Sequence, residues 1–358
     1  MALHSSTLAS LCQCLGGKAP SDLDWLPVLE LANNTLTTPF LIDLVDQSDQ
    51  SVPEDVRVFV REIYRRNALR NELLRAQLEE AVAALNERDV IPVLLKGAAN
   101  LATAVAEGRH TRLMADLDIL VDSHQVETAL HALAGLGYQL HFQAPPDSRK
   151  QYMDLKRARD VGMIDLHQTA PGPDYFYRPS GKLLDHCRPA SVGRGTAYLP
   201  TSTFQAFMLI IHDQFQDHDY WVGELDVRHL VELRDLANSS EGIDWDLLIS
   251  FASSRLARNA IEKQLVALAE LFGVDVPVEL RRRFIPRLQF KRLLLQSRFP
   301  LARWPLLSVA LLDYGNYRRG LGAEYQTDTR RNRTFTLPKA DTLRHVLGIV
   351  GNHRIGKV

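Results

Sequence analysis

The chain has 358 residues, with 42 Lys and Arg against 43 Asp and Glu, and 46% of its residues are hydrophobic. This length allows two or three domains with substantial cores, and the composition is ordinary for a soluble globular protein. The longest apolar runs, such as Leu306 to Leu312, are far too short to span a bilayer, which excludes a protein built on membrane-spanning helices.

The N-terminal part predicts helices in a cytoplasmic protein. Met1 to Ser5 lacks the basic and hydrophobic segments of a signal peptide. Three cysteines are too few for a disulfide framework, which favours a reducing compartment. Prolines interrupt short apolar runs up to about Val60, and Val56 to Arg88 then has the apolar spacing of one long helix.

A mixed sheet is predicted in the next hundred residues. Val90 to Leu95 is typical of a buried strand, and Ala98 to Glu107 is an Ala-rich helix candidate. Further patterns predict a strand at 115–121, a helix at 123–136, a strand at 138–142 and two antiparallel strands at 151–156 and 161–167. We therefore expect a small mixed sheet with two helices on one face and an open second face.

The second half of the chain predicts helices. Residues 169–200 are rich in Pro, Gly and polar residues, which is typical of a long loop with one more short strand. Helices are predicted at 202–215, 223–237, 245–252 and 256–272.

The charge is divided along the chain. Residues 281–358 carry 17 Lys and Arg against 4 Asp and Glu, a net +13, whereas the preceding residues carry −14. Such asymmetry predicts an electrostatic partner for the basic segment. That partner is either the acidic body of the same chain or an anion such as nucleic acid, a membrane surface or a polyphosphate substrate.

Two carboxylates lie close together in the strand at 115–121. Asp116 and Asp118 are separated by one apolar residue, so both side chains emerge on one face of the strand. Neighbouring carboxylates repel each other unless a cation lies between them, and oxygen ligands suit Mg²⁺. The pair therefore predicts a divalent-metal site.

A third acid and a glycine turn extend this pattern. Asp165 and His167 alternate with Ile164 and Leu166, so they share one face of a later strand. Gly97, between a strand and a helix, would let a phosphate approach the backbone at the helix N-terminus, where free N–H groups favour anions.

Taken together, these segments resemble the nucleotidyltransferase superfamily with a polymerase-β-like core, and more narrowly the family of uncharacterised nucleotidyltransferases. The resemblance is carried by Leu94-Leu95-Lys96-Gly97-Ala98, by Arg112 four residues before Asp116, by Asp116-Leu117-Asp118-Ile119-Leu120-Val121 and by Ile164-Asp165-Leu166-His167. The wider superfamily usually has Gly-Ser or Gly-Gly at the turn, whereas this chain has Gly97-Ala98 and so lacks a serine hydroxyl there.

The resemblance implies an α+β fold, with a small mixed β-sheet nucleotidyltransferase core, flanking N-terminal helices and a C-terminal helical domain. We expect an N-terminal helical region at 1–75, a catalytic core at 76–200, a helical domain at 201–280 and a basic segment at 281–358.

The resemblance also implies the site residues. Asp116, Asp118 and Asp165 would be catalytic and would hold Mg²⁺ or Mn²⁺. The NTP would be bound by the amides of Gly97 and Ala98, by the charges of Lys96 and Arg112, and by His167. Each has an alternative: a surface role for Lys96, an ion pair with the acids for Arg112, and a hydrogen bond behind the site for His167.

The implied reaction is transfer of an NMP from an NTP to a hydroxyl, with a small molecule favoured as acceptor because the basic segment has no recognised nucleic-acid motif. Two alternatives stay open. The acceptor could be RNA, tRNA or a protein, or the chain could be an inert interaction protein that keeps the fold.

Overall fold

The computed structural model describes residues 7–47, 52–103, 108–144, 152–169, 183–313 and 356–358. Their contacts form two compact units. Among the described residues, the sheet unit comprises those within 7–169 and 183–205, and the helical unit comprises those within 206–313 and 356–358. The predicted boundaries at 75, 200 and 280 stay predictions.

Six α-helices of the sheet unit are α1 (Thr7–Leu15), α2 (Trp25–Asn34), α3 (Ile42–Asp46), α4 (Glu54–Asn86), α5 (Lys96–Thr103) and α6 (Val126–Gly135). Helix α4 confirms the long helix predicted from apolar spacing, and Asn86 ends it within two residues of the expected position. Helix α5 begins two residues earlier than expected, and the last four residues of its predicted span lie outside the described residues.

The strands of the sheet are β1 (Val93–Leu94), β2 (Asp116–Leu120), β3 (Gln139–Gln143), β4 (Tyr152–Lys156), β5 (Met163–His167), β6 (Cys187–Val192) and β7 (Gly195–Pro200). Their order in the sheet is β3-β4-β5-β2-β1-β7-β6. Strand β2 pairs in parallel with β5, and β4 pairs with β5 antiparallel, as the sequence predicted for the latter pair. The sheet is therefore mixed, and the predicted α+β fold is confirmed.

Two expectations for the sheet were wrong. Instead of a loop with one short strand, residues 187–200 form the hairpin β6–β7, joined by Gly193 and Arg194 and paired to β1 through β7. Moreover, three helices rather than two contribute to the apolar core on one face of the sheet. Leu78 of α4, Ala98 of α5 and Ala129 of α6 all belong to this core.

The buried core residues identify which side chains lie on the opposite face of the sheet. Leu117 and Ile119 of β2 and Ile164 and Leu166 of β5 are fully buried in the apolar cluster. Because side chains alternate along a strand, the residues between them emerge on the other face. That face carries the acids predicted to form the site.

The helical unit contains the remaining α-helices, α7 (Ser202–Ile211, which begins in the sheet unit), α8 (Asp219–Val222), α9 (Val227–Asn238), α10 (Trp245–Ser250), α11 (Arg255–Phe272), α12 (Val278–Arg281), α13 (Phe284–Arg298) and α14 (Arg303–Ala310). Helices α13 and α14 lie in the basic segment at 281–358, for which the sequence predicted no secondary structure. Helix α13 buries Phe290 and Leu293, so this part of the segment is folded. Residues 314–355 lie outside the described residues. Within the described part of the chain, no helix is both long and apolar enough to cross a bilayer.

Candidate active site

Three carboxylates form a row across neighbouring strands. Asp118 of β2 lies directly opposite Asp165 of the parallel strand β5, and Asp165 lies directly opposite Asp154 of the antiparallel strand β4. Directly paired residues of adjacent strands share a face of the sheet. Asp118, Asp165 and Asp154 therefore line up on the face opposite the apolar core.

Asp118 is held by two side chains. Its Oδ1 accepts a hydrogen bond from Lys96 Nζ at 2.8 Å and lies 2.9 Å from His167 Nε2. The Asp118 side chain is only 4% exposed, and burial alone would favour its neutral form. The charge of Lys96 and the hydrogen bond from His167 outweigh this burial and hold the pKa of Asp118 below its usual range. Asp118 is therefore a buried, ionised carboxylate.

Lys96 reaches Asp118 from the first residue of α5. Its backbone φ is +44°, a left-handed value that side chains other than glycine rarely adopt. Burial disfavours the ammonium, but the charges of Asp118, Asp116 and Asp165 raise the pKa of Lys96 above its usual value. The turn thus places a fixed positive charge at one end of the carboxylate row.

Asp165 titrates differently from Asp118. Burial, followed by the charges of Asp116, Asp118 and Asp154, raises its pKa to about 8, and Lys96 only partly opposes this. Like charges at short distance disfavour ionisation of all the acids together. Without a further cation, the row therefore retains a proton near neutral pH.

The row offers a set of possible metal ligands. A carboxylate oxygen of Asp118, a carboxylate oxygen of Asp165 and a ring nitrogen of His167 all lie within 4.8 Å of one another. Asp116 was predicted as a ligand and begins β2 on the same face, but it is not part of this set. His167 was predicted to contact the nucleotide, yet it is part of the set. Two carboxylates and an imidazole are donors suited to a divalent cation such as Mn²⁺.

The turn before the site is tightly packed. A Cβ added at Gly97 would lie 2.7 Å from Met114 Sδ and 3.3 Å from Arg112 Nε, so the glycine permits close contact with the segment that leads into β2. The amide of Ala98 donates to the carbonyl of Leu95 at 3.0 Å and is already engaged. Phosphate binding at Gly97 stays a prediction.

Arg112 is fixed next to this turn through its backbone. Its carbonyl accepts hydrogen bonds from Nδ2 of Asn67 and of Asn71, each at 3.0 Å, and both asparagines are on α4. The Arg112 side chain is buried beside Gly97. A role of Arg112 toward phosphate stays a prediction.

The model of the family described as "Uncharacterised nucleotidyltransferase" matches residues 21–273. The chain belongs to this family. The match covers both the carboxylate row and helices of the helical unit, and it supports transfer of a nucleotidyl group as the general reaction. The family resemblance inferred from the sequence is thereby confirmed.

The nucleotidyltransferase assignment rests on this family match and not on comparison with individual proteins. No curated protein matches the chain. Among solved structures, that of the antibiotic-resistance factor ANT(2'')-Ia is similar over 56% of this chain and 95% of its own, with 14% identity and a TM-score of 0.33.

Sequence reasoning missed two residues of the site in this nucleotidyltransferase. Asp154 has a buried Oδ1 that accepts no hydrogen bond among the described residues. Tyr152, on the same face of β4, stacks on His167 with ring centroids 5.9 Å apart. The alternation of Tyr152, Asp154 and Lys156 with Met153 and Leu155 contained the signal for a shared face.

The helical unit contains a second set of possible ligands, His212, Asp213 and His229, also within 4.8 Å of one another. Here the chain itself supplies a cation. Lys357 Nζ lies 2.8 Å from Asp219 Oδ2 and 3.8 Å from Asp213 Oδ1. This second set is therefore better described as part of a buried ion-pair cluster than as a metal centre.

Proposed function

We propose that this nucleotidyltransferase transfers an NMP from an NTP to a hydroxyl acceptor with Mg²⁺ or Mn²⁺ held by Asp116, Asp118 and Asp165. The proposal is carried by one observation: Asp118 and Asp165 lie directly opposite each other on parallel strands of a chain that belongs to a nucleotidyltransferase family. Asp116, two residues before Asp118, belongs to the same face.

The residues of the row fit a divalent cation. Asp154 Oδ1 is a buried oxygen without a hydrogen-bond donor among the described residues, and burial together with acidic neighbours raises the pKa of Asp165. Both features are expected where a positive charge completes a site. When bound, divalent cations stabilise the attacking and leaving oxygens of an in-line displacement.

The reaction transfers one group and one proton. The acceptor oxygen forms a bond to the α-phosphorus, the bond from this phosphorus to the bridging oxygen breaks, and pyrophosphate leaves. Asp165, ionised when a cation is bound, would receive the proton that the acceptor hydroxyl loses. Lys96 and Arg112 would neutralise the triphosphate, and His167 would keep Asp118 oriented.

A small molecule is the acceptor that the charges favour. Described cations of the basic segment pair with acids of the helical unit: Arg283 with Glu262, Arg303 with Glu224, and Lys357 with Asp219. These pairs support the acidic body of the chain as the partner of the segment. The alternatives to this function are transfer to RNA, tRNA or a protein, and an inert interaction protein. We also propose that the protein is cytoplasmic.

The test is a screen of labelled ATP, GTP, CTP and UTP with Mg²⁺ or Mn²⁺ against small-molecule, RNA and protein acceptors. We expect label transfer and pyrophosphate release with one NTP, both lost in Asp116→Asn. Calorimetry with each NTP and Mg²⁺ accompanies the screen. Full activity of Asp116→Asn would contradict the proposed ligands, and no binding of any NTP would favour an inert protein.

A further inference from the structure

Asp154 is a fourth carboxylate of the site face, on a strand that the motifs do not include. It lies opposite Asp165, which itself lies opposite Asp118, so three neighbouring strands each contribute one acid to the row. Like charges directly opposite each other destabilise a sheet. A row of this kind is favourable only when protons or cations occupy it.

The two ends of the row differ in their partners. At one end, Asp118 Oδ1 has Lys96 and His167 within hydrogen-bond distance. At the other end, Asp154 Oδ1 is buried from solvent and accepts no hydrogen bond from any described residue. Lys156, the next residue on this face of β4, is exposed. This oxygen of Asp154 therefore has no hydrogen-bond donor among the described residues, in contrast to Asp118 Oδ1.

The surroundings of Asp154 also distinguish it from a solvated surface acid. Phe142 of β3 lies directly opposite Asp154, and its ring centroid is 5.7 Å from that of Tyr152. Tyr152 in turn stacks on His167. Two aromatic rings therefore lie on the site face beside the half-buried Asp154.

We propose that Asp154 is a ligand of a divalent cation that it shares with Asp165. This inference rests on the proposed metal-dependent function. It adds a cation position at the end of the row farther from Lys96. Asp154 and Asp165 lie directly opposite each other on antiparallel strands, so a cation between them would relieve the repulsion between their carboxylates.

The position of this cation indicates its role in the transfer. Lys96 and the N-terminus of α5 lie at the Asp118 end and suit the negatively charged triphosphate. The Asp154 end is farther from Lys96 and has Phe142 and Tyr152 beside it, which suits an uncharged hydroxyl compound better than a phosphate-rich polymer. The cation at Asp154 and Asp165 would therefore lie nearest the acceptor hydroxyl.

The test measures Mn²⁺ binding to the whole protein by electron paramagnetic resonance of free Mn²⁺, without any NTP or acceptor. The variant is Asp154→Asn, and the matched control is Glu127→Gln, which removes one charge from an exposed position at the start of α6. We expect the affinity of one Mn²⁺ site to fall at least about tenfold in Asp154→Asn and to stay unchanged in Glu127→Gln. Asp154→Glu, which keeps a carboxylate, should retain most of the affinity.

Thermal unfolding in EDTA distinguishes a ligand from a structural residue. Because Asp154→Asn removes a like charge opposite Asp165, its melting temperature without metal should equal or exceed that of the wild type. A lower melting temperature together with weaker Mn²⁺ binding would assign Asp154 a structural role and overturn the inference.

Two further outcomes separate this inference from the proposed function. Mn²⁺ binding by Asp154→Asn that equals wild-type binding would overturn the inference and leave the proposed function intact. A wild-type protein that binds no Mn²⁺ would overturn both the inference and the metal dependence of the proposed function.

Discussion

Lys96 Nζ lies 2.8 Å from Asp118 Oδ1, so the ammonium contacts the carboxylate that the family motif assigns to metal. The two residues are brought together because Lys96, at the start of α5, adopts a left-handed backbone conformation. An internal cation and a divalent cation that need the same oxygen compete for it. Lys96 therefore has a part in setting the metal affinity of the site.

We expect Lys96→Met to increase the affinity of the protein for Mn²⁺. A hydrogen bond to a charged group contributes about 1.5–3 kcal/mol, so its removal should tighten Mn²⁺ binding by about tenfold or more. Affinity for NTP should fall in the same variant because a charge opposite the triphosphate is lost. Titration of Mn²⁺ followed by calorimetry with NTP measures both effects.

Lys96→Arg is the control for this experiment, since it keeps the positive charge and should keep weak Mn²⁺ binding. Circular dichroism is needed to establish that Lys96→Met is folded, because Asp118 loses one of its two partners. Folded Lys96→Met with unchanged or weaker Mn²⁺ binding would show that Lys96 does not compete with metal.

Asp165 should make the metal-free protein less stable as the pH rises. Its pKa is raised from 3.8 to about 8 by burial and by Asp116, Asp118 and Asp154. The folded chain then binds this proton more tightly than the unfolded chain, so the free energy of unfolding decreases between these two pH values. Asp165→Asn should abolish this slope and raise the melting temperature at pH 8.

Chemical denaturation in EDTA at several pH values measures the slope for wild type and Asp165→Asn. Added Mg²⁺ or Mn²⁺ should stabilise the wild type at pH 8 and leave the variant nearly unchanged. A variant with the same pH slope as the wild type would place the retained proton on another group.

Alternation of polar and apolar residues was sufficient to predict which side chains share the site face. The Asp116-Leu117-Asp118 pattern and the Asp165-Leu166-His167 pattern each place their polar residues opposite a buried core, as the structure confirms. The pairing of β2 with β5 followed only from the family resemblance. Alternation determines the face of a residue but not its neighbour on the next strand.

Other features depend on contacts between strands or distant segments, which local patterns do not reveal. Asp154 is a single acid whose importance depends on its register with Asp165. Residues 187–200 contain Pro189 and two glycines, a composition typical of loops, yet Gly193 with a φ of +56° forms a two-residue turn between paired strands. Lys357 contacts Asp219 across 138 residues of sequence, a distance over which no spacing rule applies.

Gly162 is expected to be essential for the spacing of β2 and β5. A Cβ at this position would lie 2.6 Å from Leu74 Cδ2 and 2.8 Å from the carbonyl oxygen of Ala115, next to Asp116. Gly162→Ala should therefore lower the free energy of unfolding by about 1–3 kcal/mol, the usual cost of overpacking. Urea denaturation measures this change.

Gly135→Ala is the matched control, because a Cβ at Gly135 would meet no atom within 4 Å. Adding Leu74→Ala to Gly162→Ala should not restore stability, since the clash with the backbone oxygen of Ala115 would persist and a cavity would be added. Equal stability of Gly162→Ala and the wild type would mean that β5 can shift without cost.

Lys357 compensates the charge of a cluster of buried and half-buried acids in the helical unit. Its Nζ lies within 4 Å of Asp213, Asp217, Asp219 and Asp226. Burial disfavours the ammonium, but the charges of Asp213, Asp219 and Asp226 raise the pKa of Lys357 above its usual value. Burial likewise disfavours ionised Asp213, whose pKa His229 and Lys357 nevertheless hold well below its usual value.

We expect Lys357→Met to lower the free energy of unfolding by about 3–5 kcal/mol near neutral pH, because removal of one partner leaves buried charges uncompensated. Lys291→Met, at an exposed position of α13, should have little effect. In the wild type, the lowered pKa of Asp213 stabilises the folded state at pH values above 3.8, the pKa of this group in the unfolded chain. This stabilisation is lost as the pH falls through the lower pKa of Asp213 in the folded state.

Without Lys357, burial should instead raise the pKa values of these acids, and their protonation would then relieve the repulsion between them. The difference in unfolding free energy between Lys357→Met and the wild type should therefore be largest near neutral pH and should shrink as the pH falls toward 4. Urea denaturation followed by tryptophan fluorescence measures it, because Trp221, Trp245 and Trp304 all belong to the helical unit. A difference that does not change with pH would assign the loss to packing of the lysine chain rather than to its charge.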